Sequence, residues 1–301
     1  MSSNQSHKSV VFGSISIDKI INKHGSFLDV LGGSAAYALL ANKQKTCELV
    51  GVVGDDFKNG HWELLSKHSI STNSLTRLSG KTFCWGGEYQ KDFSSRRTLY
   101  VDPGVSETYL PNLSDNSKNC SFLLLGNTAP HLQAALLNQM ENDPYVMLDT
   151  FKLYIDIANK ELKQLINKVD LLCINFNEAV ELSGLNGKDL AKMAKTILNL
   201  GSKSLIIKDG ENGSHFFDSA NQFSIKAYPI DKVIDTTGAG DSYIGGILMG
   251  KMKGMNILDS MKVGAVTASF CIEGVGVEGL LKINKEEFNR RLDWMNRNHT
   301  S

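Results

Sequence analysis

A chain of 301 residues, 42% hydrophobic and 21% charged, has the make-up of a folded globular protein with a substantial core, and 27 Gly beside 5 Pro exclude collagen-like and proline-rich disordered classes. Its 32 basic residues balance 32 acidic ones, so no net field draws it to nucleic acid or to an anionic membrane. Five scattered cysteines, Cys47, Cys84, Cys120, Cys173 and Cys271, contain no Cys-x-x-Cys pair, which argues against a disulfide framework or a zinc site and suits a reducing cytoplasm.

The start, MSSNQSHKSVVFGSI, lacks the apolar core of a signal peptide, and the first buried strand is predicted over 9–15. Residues 16–31 follow without an obvious helix. A helix is expected over 33–43 and a strand over 47–53. Residues 80–101 (GKTFCWGGEYQKDFSSRRTLYV) place aromatics at alternate positions around a polar turn; they read as a β-hairpin that pairs with 16–31 in a small accessory sheet. Residues 111–120 (PNLSDNSKNC) read as a plain surface loop. Further strands are predicted over 121–125, 145–148, 170–174 and 204–208. Helices with apolar residues three and four apart are predicted over 131–141, 155–168, 188–200, 239–253, 256–272 and 285–298. The longest apolar-leaning stretch, 263–281, carries Glu273 and Glu278 and is no membrane span.

Short apolar strands alternating with amphipathic helices are the pattern of βαβ units. The fold class is therefore α/β with a mainly parallel sheet, expected as one domain over 1–301 with an extruded β sheet.

Chemistry concentrates in Val233-Ile-Asp-Thr-Thr-Gly-Ala-Gly-Asp-Ser-Tyr, a polar, glycine-rich turn that runs into an amphipathic helix. Small residues at Gly238, Ala239 and Gly240 let backbone N–H groups approach an anion at the helix start, where the dipole favours negative charge. Asp241 follows in the first helical turn, placed to take a proton from a hydroxyl beside a bound phosphate. A glycine turn with Asp as a cap is the plainer alternative for so short a motif.

The string Asp235-Thr-Thr-Gly-Ala-Gly-Asp241 is similar to the C-terminal motif of the ribokinase-like, or PfkB, carbohydrate kinases. Further parts of the resemblance fall in the family's order: Gly13-Ser-Ile-Ser-Ile-Asp18, Gly32-Gly33, Gly51-Val-Val-Gly-Asp-Asp56 and Asn175-Phe-Asn-Glu178. The resemblance implies a three-layer α/β/α sandwich with a β lid formed by 16–31 and 80–101. It also implies transfer of the ATP γ-phosphoryl group to a hydroxyl of a small sugar or sugar-like substrate, with Asp241 as base and the amides of Gly238, Ala239 and Gly240 stabilising charge. Asp18, Gly32 and Gly33 fall where the family binds its acceptor. The Asn usual after the glycine pair is absent, since the chain reads Gly33-Ser-Ala-Ala-Tyr37; Ser34 or Tyr37 is the expected substitute, and no particular sugar follows. Asn175 and Glu178 fall near Mg²⁺ and the nucleotide phosphates, although Asn-x-x-Glu is also a helix cap. Lys208, Gly210 and Gly213 fall beside ATP, and Asp235 and Thr237 at a monovalent-cation site, K⁺ in several members. The alternatives are a nucleoside kinase of the same family and a non-catalytic regulator or scaffold.

Other signals carry less. Gly274-Val-Gly-Val-Glu-Gly279 satisfies G-x-G-x-x-G but follows a predicted helix where the dinucleotide motif needs a strand. Arg96 and Arg97, two of six arginines, read as a solvated hairpin tip or subunit contact before a grip on a phosphorylated substrate. Trp85, Tyr89 and Phe93 read as cover for the core and a dimer seam before a pocket wall. Asn127 and Asp149 end strands where open α/β sheets bind ligands, with helix capping as the equal alternative. The exposed face of a lid sheet makes a homodimer through the lid an expectation.

Overall fold

Nine strands form one sheet in the order β13-β12-β11-β10-β9-β8-β1-β4-β5 of a computed structural model that describes residues 8–298 apart from Ser94, Asn186 and Lys188. The strands are β1 (Ser9–Phe12), β4 (Cys47–Val53), β5 (Leu75–Arg77), β8 (Phe122–Leu125), β9 (Tyr145–Leu148), β10 (Leu171–Asn175), β11 (Ser204–Lys208), β12 (Ser214–Asp218) and β13 (Gln222–Ile225). From β11 to β5 all neighbours are parallel, and only β12 and β13 run antiparallel. Every residue of β1 and β4 is buried, because helices cover both faces and continuous apolar runs then replace alternation. Val11, Leu49 and Leu124 face a core shared with helices Ser34–Asn42, Ala239–Met252 and Ile257–Cys271. Val10, Phe12 and Val50 face a second core with helices Pro130–Leu137, Asn159–Ile166 and Leu190–Leu198. The architecture is thus α/β/α.

A separate sheet, ordered β3-β2-β6-β7, holds β2 (Ser16–Asn22), β3 (Gly25–Gly32), β6 (Cys84–Tyr89) and β7 (Arg96–Asp102). β2 pairs in parallel with β6 and antiparallel with β3. Burial alternates strictly along β2, as a sheet with one covered face requires. Ile20, Trp85 and Tyr89 pack beneath it with Phe27 and Phe93.

Several expectations need correction. The first strand ends at Phe12, because Ser14 N leaves the ladder for Asn127 O (3.3 Å) and Ser34 Oγ (3.1 Å). The helix predicted over 155–168 is two, Lys152–Ile157 and Asn159–Ile166, broken at Ala158 (φ −134°, ψ 35°). The helix of 131–141 stops at Leu137. The helix of 188–200 spans Leu190–Leu198, with the Asp189 carboxylate accepting from Lys192 N (3.0 Å); its predicted first residue, Lys188, lies outside the described residues. Helix Asn59–His68 and strands β5, β12 and β13 were not expected, whereas helix Phe176–Ser183 follows the capping reading of Asn175 and Glu178. The segment 111–120 is more than surface: Leu113, Ser117 and Cys120 are buried. Ser114 Oγ donates to the carboxylate of the fully buried Glu48 (2.6 Å), as do Ser117 and, at 2.6 Å, Ser74, which supplies the donors that a buried carboxylate demands. Among the described residues no helix is long and apolar enough to cross a membrane.

Candidate active site

The carboxyl ends of β1, β8, β9, β10 and β11 open into a cleft of about 1460 Å³ that the accessory sheet overhangs, lined by Asp18, Asn127, Asn175, Lys208 and Asp241 among others, where α/β sheets bind ligands. Its floor is the start of helix Ala239–Met252. Gly238 is the N-cap in the left-handed region (φ 75°), and a Cβ there would lie 2.2 Å from the Tyr37 ring. The buried ring therefore props the turn that aims the amides following Gly238 into the cleft, and only glycine satisfies both the torsion and the contact.

Asp241 sits in the first turn of that helix, partly accessible at the cleft floor. Burial, then the like charge of Asp149, raises its carboxyl to about 6, while Lys208 and Arg96 act in the opposite sense. Lys208 ends β11, and its Nζ lies 3.1 and 3.3 Å from the two carboxylate oxygens of Asp149 at the end of β9. The ammonium also stands 3.0 Å from where a Gly240 Cβ would be, so positive charge abuts the amide cradle. Burial opposes the Lys208 charge, but Asp149 and the neighbouring acids more than compensate and hold its pKa above the ordinary lysine value.

Asp18, on β2, faces the floor from the accessory sheet. Gly32 does not line the cleft itself; a Cβ there would fall 1.9 Å from Asp18 Oδ2, so this glycine makes room for the carboxylate. Asp18 Oδ1 is buried without a hydrogen-bond partner. Burial, reinforced by the charges of Asp235 and Asp241, lifts its pKa to about 7 against the pull of hydrogen bonds from Ser16 and Trp85. Gly33 is the N-cap of helix Ser34–Asn42. Ser34 is committed to structure, accepting from Ser14 N (3.1 Å) and donating to Asn127 O (2.9 Å). Asn127 lines the cleft, and its Oδ1 is a second buried, unpartnered acceptor.

Asn175 and Glu178 form a reciprocal cap on helix Phe176–Ser183: Glu178 N donates to Asn175 Oδ1 (2.9 Å), and Asn175 N to Glu178 Oε2 (2.8 Å). Both also line the cleft, so the two readings of this pair hold together. Burial raises Glu178 to about 7. Gly210 and Gly213 flank a short turn at the same rim.

Asp235 lies behind the cleft, fully buried. Its Oδ1 accepts from Thr237 N (3.0 Å) and Thr237 Oγ1 (2.7 Å), and its Oδ2 from Gly276 N (3.0 Å). With its proton given to Asp235, Thr237 Oγ1 can only accept from the Tyr89 hydroxyl at 2.9 Å. The glycine-rich 274–279 segment is thus a brace for Asp235 that follows helix Ile257–Cys271.

Sequence reasoning underrated three residues. Arg96 stacks on Trp85 (5.2 Å) and Phe151 (5.1 Å) at the cleft, while Arg97 pairs with Glu88 (2.6 Å). Tyr89 bonds the cradle loop, and Tyr37 supports it. The signal present was the alternation of Trp85, Tyr89 and Arg96 with polar neighbours in a hairpin already assigned to the lid. Trp85 and Phe93 both cover the accessory core and line the cleft.

The model of the pfkB family of carbohydrate kinases matches residues 6–283. A cytidine kinase of Thermococcus kodakarensis is 26% identical over 263 residues, covering 85% of this chain and 92% of that protein. Among solved structures, a Burkholderia thailandensis nucleoside kinase in complex with inosine superposes with a TM-score of 0.79 at 18% identity, covering 97% of this chain and all of the other. A ribokinase from Cryptococcus neoformans in complex with ADP also has a TM-score of 0.79, at 20% identity, with 95% and 100% covered.

Proposed function

The chain belongs to the pfkB family of carbohydrate kinases and is a phosphotransferase acting between ATP and a sugar or nucleoside; on that premise we propose that Asp241 is the base that takes the proton of the acceptor hydroxyl of a small sugar or sugar-like substrate. The observation that carries this reading is the placement of one ionisable carboxylate in the first turn of the helix whose capping turn also presents backbone amides to the cleft. The amides after Gly238 and the Lys208 ammonium seat the phosphoryl oxygens, where fixed donors stabilise the charge that develops. Asp18 Oδ1 and Asn127 Oδ1, both lacking partners, accept from acceptor hydroxyls and orient the attacking oxygen. That oxygen forms its bond to the γ-phosphorus as the bond to ADP breaks, and its proton passes to Asp241.

Among the described residues no group of three His, Cys, Asp or Glu could hold a metal ion alone. This donor set fits Mg²⁺ carried chiefly by nucleotide phosphates and water, with Glu178 as the residue that reaches it, through water. Mg²⁺ held there would neutralise charge on the nucleotide phosphates. The fit for K⁺ is poor, because the Asp235 carboxylate is already engaged by Thr237 and Gly276.

The accessory sheet acts as a lid that keeps competing water from the phosphoryl group. Leu99, Tyr100 and Val101 are exposed on its edge strand β7, which supports a homodimer through this sheet. The five free cysteines suit the cytoplasm.

A nucleoside acceptor is the second reading, favoured by Phe83, Trp85 and Phe93 along the cleft, which offer faces for a base. Measuring ADP release with purified protein across sugars, polyols, sugar phosphates and nucleosides tests both. Turnover confined to nucleosides selects the second reading, and no ATP consumption with any acceptor leaves the non-catalytic alternative standing.

A further inference from the structure

Arg96 and Arg97 are neighbours on β7 with different fates. Arg97 is closed in an exposed pair with Glu88. Arg96 lines the cleft with its guanidinium 5.2 Å from the Trp85 ring centroid and 5.1 Å from that of Phe151. Trp85 belongs to the accessory sheet, whereas Phe151 caps the helix after β9, so this one side chain spans the opening between the two sheets. Ring stacking fixes the plane of a guanidinium but leaves most of its five N–H groups to find acceptors. Among the described residues no carboxylate forms an ion pair with Arg96. Its cross-strand partner on β6 is Tyr89, whose hydroxyl lies 2.9 Å from Thr237 Oγ1, and Thr237 directly precedes Gly238. The guanidinium lines the same cleft as the 238–240 turn, and its charge favours the ionised forms of Asp241 and Glu178.

We propose that Arg96 is a catalytic residue that donates N–H groups to the non-bridging oxygens of the γ-phosphoryl group in flight, roofing an anion seat whose floor is the 238–240 turn and Lys208. The proposal rests on the phosphotransfer reading above. The phosphorus exchanges its bond to the ADP oxygen for one to the acceptor oxygen, the acceptor proton goes to Asp241, and Arg96 keeps all its protons. A phosphoryl group in transfer spreads charge over three equatorial oxygens, a target that a planar fork fits better than a point charge. Anionic oxygens could also come from a charged acceptor. The γ-phosphoryl group is favoured because Arg96 lines the same cleft as the 238–240 turn, and its cross-strand partner Tyr89 is bonded to Thr237 in that loop.

Two arms separate these sources. In the first, wild type, Arg96→Ala and Arg96→Lys are titrated with AMP-PNP and with ADP, each with Mg²⁺. Arg96→Ala weakens AMP-PNP about tenfold and leaves ADP unchanged, as loss of one charge-assisted contact to the γ-group alone requires. In the second, steady-state turnover is measured with the uncharged acceptors cytidine, inosine and ribose. Arg96→Ala lowers kcat about 10²- to 10³-fold with acceptor KM nearly unchanged, and Arg96→Lys recovers part of the loss. An equal loss of ADP and AMP-PNP binding, or no loss of either, overturns the assignment. So does a raised acceptor KM at unchanged kcat, which would move the contact to the acceptor. Thermal melts of both variants exclude misfolding, and the nucleotide arm decides even if none of the three acceptors turns over. Wild type that binds neither nucleotide instead removes the phosphotransfer reading itself.

Discussion

Lys208 Nζ and Asp149 Oδ2 meet at 3.1 Å at the foot of the cradle, from two strands separated by β10. Both side chains are nearly sealed from solvent, at 14% and 5% exposure. An ion pair so deeply placed contributes little net stability, but losing one member strands the other in a poor solvent. Lys208→Met should therefore destabilise the fold by about 3–5 kcal/mol. Asp149→Asn combined with Lys208→Met should recover much of that loss. Urea unfolding of the two single variants and the double variant measures the coupling; additive losses would show that the pair is not a unit.

Asp241→Asn keeps the shape of the first helical turn but cannot accept the acceptor's proton. Turnover, followed as ADP release, should drop below detection while the circular dichroism spectrum stays that of wild type. In the wild type, kcat/KM should rise about tenfold per pH unit below about pH 6 and level off above it, because the ionised carboxylate is the working form and burial has raised its pKa to about 6. A profile flat from pH 5 to 8 would count against the assignment.

Asp18 carries an opposite stability signature. Its folded-state pKa of about 7 exceeds the ordinary 3.8, so between these values the folded chain binds more protons than the unfolded chain. The stability of this site is thus full below the ordinary value and lost as pH rises through the folded one. Asp18→Asn, which has no charge to bury, should melt higher than wild type at pH 8 and equal to it near pH 4, and should raise acceptor KM. Thermal melts at the two pH values, with one acceptor titration, test this.

Lid action predicts slower deuterium uptake over 16–31 and 80–101 when nucleotide and acceptor are both bound than with either alone. Contacts between this sheet and the rest of the chain include Asn22 Nδ2 donating to Ile234 O (3.1 Å), the Tyr89 hydroxyl at Thr237 Oγ1 (2.9 Å) and the Lys58–Asp29 pair (2.9 Å). Identical uptake with and without both ligands would rule out closure.

The parallel core was legible because strands covered on both faces are continuous apolar runs, as in β4 and β8. The hairpin β12–β13 escaped because its exposed face carries His215, Gln222 and Ser224, which dilute the apolar pattern. Glu48 illustrates the converse. A fully buried acid inside a core strand makes sense only once Ser74, Ser114 and Ser117 are seen to converge on it from distant segments. The cradle and Asp241 were readable because they are local in sequence. Arg96 was not, because its setting at the cleft depends on Phe151, which the fold brings alongside it and local spacing does not.

The chain of hydrogen bonds from Tyr89 through Thr237 to Asp235 joins the overhanging strand β6 to the 235–240 turn. A swing of that strand must either break this relay or drag the loop with it. Were the sheet to move as a lid, occupancy at one end of the cleft would be felt at the other, and whatever factor the acceptor imposed on nucleotide affinity, the nucleotide would return to the acceptor in equal measure.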